Sequence, residues 1–138
     1  MKVTATGHRP DKLAQHGLRA YGAAQEDALR AFARQELERL GVETLNSGLA
    51  LGWDTAAAQA ALDLGIRLHV WVPFHGQEAR WGAQARRTHA ALVRGASQVR
   101  VVCPGGYAAW KMLARDRAMV DDGWLVLALH DGSEGGTG

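Results

Sequence analysis

Short apolar runs alternate with amphipathic stretches along the chain, and turn residues separate them. The run 3–6 stops at Gly7 and predicts a first strand, after which His8-Arg9-Pro10 predicts a turn. Across 24–40, apolar residues recur every three or four positions, which is the spacing of one helix face, and Gly41 ends that helix. The chain therefore begins as a strand, a loop and a helix.

The same alternation predicts four more strands and three more helices. In the third strand Ile66, Leu68 and Val70 alternate with more polar residues, which is typical of a strand with one fully buried face. Asp54 and Thr55 are predicted to cap the helix before it. In order, these elements are a strand at 42–46, a helix at 54–64, a strand at 66–72, an irregular segment at 74–82, a helix at 84–94, a strand at 99–103, a helix at 110–121 and a strand at 124–129.

This order of elements predicts an α/β fold, a three-layer Rossmann-like domain with a mostly parallel sheet flanked by helices. The 138 residues have the length of one domain, 1–138. Ligands of such folds bind beyond the carboxyl ends of the strands, where strand order reverses. We therefore expect one site, formed by the loops after the strands. Another helix ordinarily follows the last strand, so we expect the domain to be shortened at its carboxyl end.

Three loops rich in glycine and polar residues follow predicted strands, and we expect them to meet at one edge of the sheet. Glycine lets backbone N–H groups approach an anion closely, and the positive end of a following helix favours a phosphate. Ser47 has no base partner that would make it a nucleophile, so we interpret it as a hydrogen-bond donor to phosphate or ribose. Turn chemistry alone explains any single loop, whereas their convergence favours a ligand. The loops supply Gly7 and His8; Ser47, Gly48, Gly52 and Asp54; and Asp131, Gly132, Gly135, Gly136 and Thr137.

Basic and aromatic side chains lie in or beside these loops. Guanidinium groups bind phosphate through paired hydrogen bonds, although a lone arginine is often only a solvated surface charge. Flat aromatic rings can stack on a nucleobase. Trp53, Trp81 and Trp110 adjoin glycine or polar residues, so each is either a base-stacking residue or part of the packing. We assign Arg9, Arg80, Lys111 and Arg115 to phosphate, and Trp81 or Trp110 to the base.

Composition argues against several other classes of protein. Apolar residues form 47% of the chain and charged residues 22%, which is the balance of a folded globular protein. No stretch approaches the ~20 apolar residues of a membrane span. The single Cys103 can form no disulfide within the chain, and the six histidines form no metal-binding motif. We predict a cytoplasmic protein without metal, required cofactor or membrane contact; its net charge of +2 permits nucleic-acid binding without indicating it.

Four segments, in this order, resemble the YpsA-like branch of the SLOG superfamily. They are TGHRP at 6–10, SGLALGWD at 47–54, PFHGQEARW at 73–81 and WKM at 110–112, and the third adds Phe74 and Gln77 to the candidate site. The resemblance covers nearly the whole chain. It implies a Rossmann-like nucleotide-binding fold shared with the LOG phosphoribohydrolases, the core of the DNA-processing protein A and sensors of NAD-derived nucleotides. Because SLOG-type domains commonly pair through helices, it also implies a homo-oligomer.

The LOG enzymes use an Arg, a Met, a Gly-Gly-x-Gly-Thr loop and a following Glu for phosphate binding and N-glycosidic cleavage. Arg115, Met119 and Gly135-Gly136-Thr137 resemble the first parts of this series, but the sequence ends at Gly138, before the Glu. Hydrolysis needs such a carboxylate to activate water. Asp116 stands where the YpsA-like pattern has Asn, and we expect it either to orient Arg115 or to bind a ribose hydroxyl.

Three functions are consistent with these observations. The first is a module that binds a phosphate-bearing nucleotide such as ADP-ribose, NAD or a nucleoside monophosphate. The second is a LOG-like phosphoribohydrolase that cleaves a nucleoside 5′-monophosphate into base and ribose phosphate. The third is a DNA-associated protein of the DNA-processing type, whose affinity for single-stranded DNA falls steeply with added salt. The third would use a basic face formed by Arg86, Arg87, Arg94 and Arg100.

Overall fold

The structure, a computed structural model, describes residues 1–7, 23–123 and 125–129. Strands and helices alternate strictly through these residues, as the apolar pattern predicts. The elements are β1 (Lys2–Gly7), α1 (Ala23–Leu40), β2 (Thr44–Ser47), α2 (Trp53–Asp63), β3 (Arg67–Val72), α3 (Ala83–Gly95), β4 (Gln98–Val101), α4 (Ala109–Asp122) and β5 (Leu125–Leu129).

All five described strands are parallel and lie in the order β4-β3-β2-β1-β5. The connections from β1 through β4 step in one direction, and right-handed crossovers place α1, α2 and α3 on one face of the sheet. The connection from β4 to β5 returns in the opposite direction, so α4 lies on the other face, where it contacts β1 and β3. The predicted three-layer, Rossmann-like α/β fold is thus confirmed. None of the helices in the described ranges is both long and apolar enough to cross a membrane.

The apolar core lies between the sheet and the three helices on its first face. Trp53, at the start of α2, is part of this core: it is fully buried and its ring centroid lies 5.9 Å from that of Phe32. The indole Nε1 of Trp53 donates a hydrogen bond to the Leu127 carbonyl at 3.2 Å. For Trp53, therefore, core packing is the correct interpretation. The strands contribute Val3, Ala5, Leu45, Leu68, Val70 and Val72 to the core.

The beginning of α2 differs from the prediction. The N-cap is Gly52, whose φ of 93° requires a glycine-like backbone, and no side chain caps the helix. The Thr55 hydroxyl donates instead to the Ala50 carbonyl at 2.9 Å, and Asp54 lies within the first helical turn. The predicted capping by Asp54 and Thr55 is wrong because the left-handed turn at Gly52 lets the helix begin earlier.

The opposite face of the sheet, under α4, carries a buried polar network. Thr4 Oγ1 donates to the Met119 carbonyl at 2.8 Å. Asn46 Nδ2 donates to Thr4 Oγ1 at 3.3 Å and to Asp122 Oδ2 at 3.1 Å, and Asn46 Oδ1 accepts from Trp71 Nε1 at 3.1 Å. Both the donor and the acceptor of the fully buried Asn46 amide are satisfied, as buried polar groups require. The network joins the end of α4 to three strands.

Candidate functional site

The carboxyl ends of the parallel strands lie along one edge of the sheet, and the predicted site loops leave from that edge. β1 ends at Gly7, which pairs with Leu129, the last residue of β5. The predicted site loops after these two strands therefore follow residues that lie side by side, at the point where strand order reverses. The candidate residues within those loops lie outside the described residues: they are His8, Arg9, Asp131, Gly132, Gly135, Gly136 and Thr137.

Arg115 connects α4 to the carboxyl ends of β2 and β3. The residue is 3% exposed, and its Nη1 donates to the Gly48 carbonyl at 2.9 Å and to the Trp71 carbonyl at 3.3 Å. Its Nε donates to Asp116 Oδ1 at 2.7 Å. Asp116 thus takes the first of its two predicted roles and orients Arg115. The ion pair also offsets much of the guanidinium charge at this position.

Gly48 leaves the space that the Arg115 guanidinium occupies. A Cβ built on Gly48 would lie 2.2 Å from Arg115 Nη1, far inside van der Waals contact. The close approach that glycine permits here is therefore made by the protein's own arginine. The fully buried Ser47 hydroxyl donates to the Asp54 carbonyl at 2.9 Å and accepts from the Leu49 N–H at 3.1 Å. The one hydroxyl proton of Ser47 is thus donated within the loop, and these two hydrogen bonds stabilise the loop conformation.

Gln77, in the loop after β3, also binds the Gly48 carbonyl. Its Nε2 donates to that oxygen at 2.9 Å. Because a carbonyl can only accept, this bond fixes the orientation of the amide. Gln77 is 9% exposed, and its buried Oε1 has no hydrogen-bond partner within the described ranges. One carbonyl oxygen thus joins the β2 loop, the β3 loop and α4, and we call this arrangement of Gly48, Gln77 and Arg115 the Gly48 junction.

A cleft of about 400 Å³ opens beside the Gly48 junction, within the usual size range of ligand pockets. Three aromatic rings, those of Phe74, Trp81 and Tyr107, form part of its walls. Phe74 is buried, and its ring meets the exposed Tyr107 ring edge to face, with 5.6 Å between the centroids. Trp81 lines the cleft from the β3 loop, and Met112 lines it from α4. The other lining residues are His75, Gly76, Gln77, Ala79 and Arg80.

The structure brings part of the predicted site together. Phe74, Gln77, Arg80 and Trp81 line the cleft, and Gln77 connects them to Gly48 and Arg115. All of these residues belong to the β2 loop, the β3 loop or α4. The cleft is lined from the loops after β3 and β4 and from α4. The strand order reverses at β1 and β5, so the cleft does not lie at the reversal where the site was expected.

Four other predicted residues have different surroundings. Lys111 is 8% exposed and its Nζ donates to the Pro104 carbonyl at 2.5 Å and the Gly106 carbonyl at 2.7 Å, so it holds the loop after β4. Trp110 is 62% exposed and does not line the cleft. Gly52 and Asp54 shape the start of α2, where a carboxylate is favoured by the helix dipole.

Five lining residues are absent from the sequence-based assignment. His75, Gly76 and Ala79 belong to the 73–81 segment that was already chosen, whereas Tyr107 and Met112 come from elsewhere in the chain. Tyr107 follows Gly105 and Gly106 in a loop after a strand, which is the same context that drew attention to the tryptophans. Met112 stands inside the WKM segment. Their selection required knowledge of which side of α4 and of its preceding loop turns toward the β3 loop.

His89, on α3, lies behind the cleft wall. Its ring meets Trp81 edge to face at 5.6 Å, and it is 9% exposed. His89 Nε2 is 3.9 Å from Glu78 Oε2 and has no hydrogen-bond partner in the described part of the chain. Burial lowers the pKa of His89 below 6.5, and the opposing effect of Glu78 is smaller. The neutral imidazole is therefore the form that suits the folded state.

Acidification is expected to destabilise the fold through His89. Below about pH 6.5 the unfolded chain binds a proton that the folded chain does not, so the unfolding free energy falls until the folded pKa is reached. A His89→Phe variant should show a shallower loss of stability between about pH 7 and pH 5 in urea unfolding. Some slope should remain, because burial also lowers the pKa of His69. The control is His75→Gln, at an exposed position; equal slopes in the wild type and His89→Phe would contradict the prediction.

The predicted basic face does not form. Arg86, Arg87 and Arg94 belong to α3, on the side of the sheet that carries three helices. Arg100 lies on the opposite side, with its guanidinium carbon 4.9 Å from the centroid of the Trp71 ring. The prediction is wrong because alternate strand residues point to opposite faces, and the register places Arg100 beside Trp71.

Comparison with known proteins supplies no functional assignment. The chain matches no protein-family model and no curated protein. Function is therefore inferred from the cleft, the Gly48 junction and the motifs that form them.

Proposed function

We propose that this protein binds a phosphate-bearing nucleotide, such as a nucleoside monophosphate, ADP-ribose or NAD, with the base in the aromatic cleft. The observation that carries the proposal is the composition of the cleft: Phe74, Tyr107 and Trp81 share it with the cationic side chain of Arg80. Stacking on an aromatic ring contributes ~1–3 kcal/mol per base. A largely apolar pocket with a few polar groups is the usual setting for a small-molecule ligand.

The resemblance to the YpsA-like branch of the SLOG superfamily supports the same proposal. Two of the segments that carry the resemblance, 47–54 and 73–81, supply the Gly48 loop and one wall of the cleft. A third, 110–112, supplies Met112 to the lining. Two of the four segments thus line the cleft, and a third is joined to it by the hydrogen bond between Gln77 and Gly48.

Thermal-shift measurements with AMP, ADP-ribose, NAD and ATP test the proposal. A ligand at 100 times its dissociation constant stabilises a folded protein by ~2.7 kcal/mol. The shift should disappear in Trp81→Ala and shrink in Tyr107→Ala, because each variant removes a stacking surface. Trp110→Ala is the matched control, since this exposed tryptophan lies outside the lining and its variant should keep the full shift. Full shifts in both cleft variants would place the nucleotide elsewhere.

The two other functions and the homo-oligomer remain predictions, and each has a direct test. Chromatography of the protein after incubation with AMP would reveal free adenine if the chain hydrolyses the N-glycosidic bond. Titration of single-stranded DNA at two salt concentrations would detect the electrostatic binding expected of a DNA-associated protein. Sedimentation analysis reports the number of copies that assemble.

A further inference from the structure

We infer that Arg80 is the side chain that contacts the phosphate of the nucleotide, and that Arg115 is a positioning residue acting through the Gly48 carbonyl. The inference rests on the proposed nucleotide binding and identifies the anion-recognising group of that site. The resemblance to the LOG enzymes implies a different assignment, because Arg115 stands at the position of their phosphate-binding Arg.

The hydrogen bonds of Arg115 leave little of it for a phosphate. Nε is used by Asp116, and Nη1 donates to two main-chain carbonyls. Binding of phosphate in a fork geometry needs two neighbouring guanidinium nitrogens with free N–H groups, and only Nη2 is without a partner in the described ranges. An incoming phosphate would also meet the Asp116 carboxylate, whose negative charge repels it.

Arg80 has the opposite properties. Its side chain is exposed, lines the cleft, and makes no hydrogen bond or ion pair with other described residues. Among the described lining residues it is the one with a permanent charge, and none of the others is a carboxylate. All its N–H donors are thus available to a ligand in the cleft. Because Arg80 and Trp81 line the same cleft, a nucleotide whose base stacks on that tryptophan would share the cavity with the guanidinium.

The Gly48 junction gives Arg115 a different role. Arg115 and Gln77 donate to the same Gly48 oxygen, and Gln77 lines the cleft. Arg115 therefore determines where the β2 loop stands, and through it where Gln77 and the cleft wall stand. Loss of this support should weaken nucleoside and nucleotide binding equally. Arg115 supports the cleft wall and does not contact the phosphate, which is the group that distinguishes the two ligands.

Isothermal titration with AMP and adenosine separates the two roles. The quantity of interest is phosphate preference, the ratio of the adenosine dissociation constant to that of AMP. Arg80→Gln should lower this preference by about tenfold or more, the effect of one charge-assisted hydrogen bond, while adenosine affinity stays within about twofold. Arg86→Gln is the matched control, because this exposed arginine of α3 lies outside the lining. Its phosphate preference should equal that of the wild type.

Asp116→Asn provides the second measurement. The variant removes the negative charge beside Arg115 and keeps an oxygen that can accept from Nε. If Arg115 contacted phosphate, phosphate preference would rise; we expect it to stay within about twofold of the wild type. Retained preference in Arg80→Gln, or a clear rise in Asp116→Asn, overturns the assignment of Arg80. Failure of the wild type to bind AMP, ADP-ribose or NAD overturns the proposed function as well, so the two failures are distinguishable.

Discussion

A Gly48→Ala variant is expected to lose about 2–4 kcal/mol of unfolding free energy. It should also lose the binding of the nucleotide in the cleft. The added Cβ would lie 2.2 Å from Arg115 Nη1 and 2.5 Å from Cζ, so the guanidinium must leave its place. Its departure removes one donor from the Gly48 carbonyl and another from the Trp71 carbonyl. Buried carbonyls that lose their donors destabilise the folded state.

Urea unfolding of Gly48→Ala beside Gly106→Ala measures this effect. Gly106 has no atom within 4 Å of a built Cβ and no positive φ, and its carbonyl can still accept from Lys111 in the variant. We expect the control to stay within about 1 kcal/mol of the wild type. If Gly48→Ala acts by displacing Arg115, adding Arg115→Ala should cost much less than the sum of the two single losses. Additive losses would mean that the strain at Gly48 has another source.

Replacement of Asn46 by leucine should be the second strongly destabilising change, again by about 2–4 kcal/mol. Leucine has a similar volume but no polar group, so it leaves the Trp71 indole N–H without its acceptor under α4. Asp122 loses the Asn46 donor and keeps that of Lys2, at 2.9 Å. The hydrogen bond from Lys2 lowers the pKa of the Asp122 carboxyl most, and the bond from Asn46 lowers it less. Asn46 is fully buried, so water does not replace the lost partners at that position.

A double-mutant cycle with Trp71→Phe separates the hydrogen bond from the change in packing. Phenylalanine removes the indole donor, so in that background the loss from Asn46→Leu should fall by about 1 kcal/mol or more. Unfolding free energies of the two single variants, the double variant and the wild type complete the cycle. Additivity within about 0.5 kcal/mol would show that the Trp71–Asn46 bond contributes little.

Much of the fold follows from local patterns. The 3.6-residue rhythm at 24–40 corresponds to α1, Ala23–Leu40, and the two-residue alternation at 66–72 corresponds to β3, Arg67–Val72. Such periodicities can be recognised without knowledge of distant residues, because one face of each element must be buried. The start of α2 was mistaken because Gly52 adopts a left-handed conformation, which composition permits but does not require.

The candidate site was only partly accessible from sequence. Phe74, Gln77, Arg80 and Trp81 were chosen from one continuous segment, and the structure places all four on the cleft. Tyr107 comes from a separate loop and packs directly against Phe74, so its place depends on the β3–β4 pairing.

By itself the sequence determined the number, type and order of the elements, and with them a parallel sheet whose loops share one edge. Tertiary structure alone decided which partners the polar groups take. Arg115 donates to Asp116 and to the Gly48 carbonyl, Lys111 donates to carbonyls of the loop that precedes it, and Arg80 is unpaired within the described residues. The physical reason is distance along the chain. Periodicity depends on neighbours a few positions apart, whereas Arg115 and Gly48 are 67 residues apart and meet only because α4 lies across the sheet.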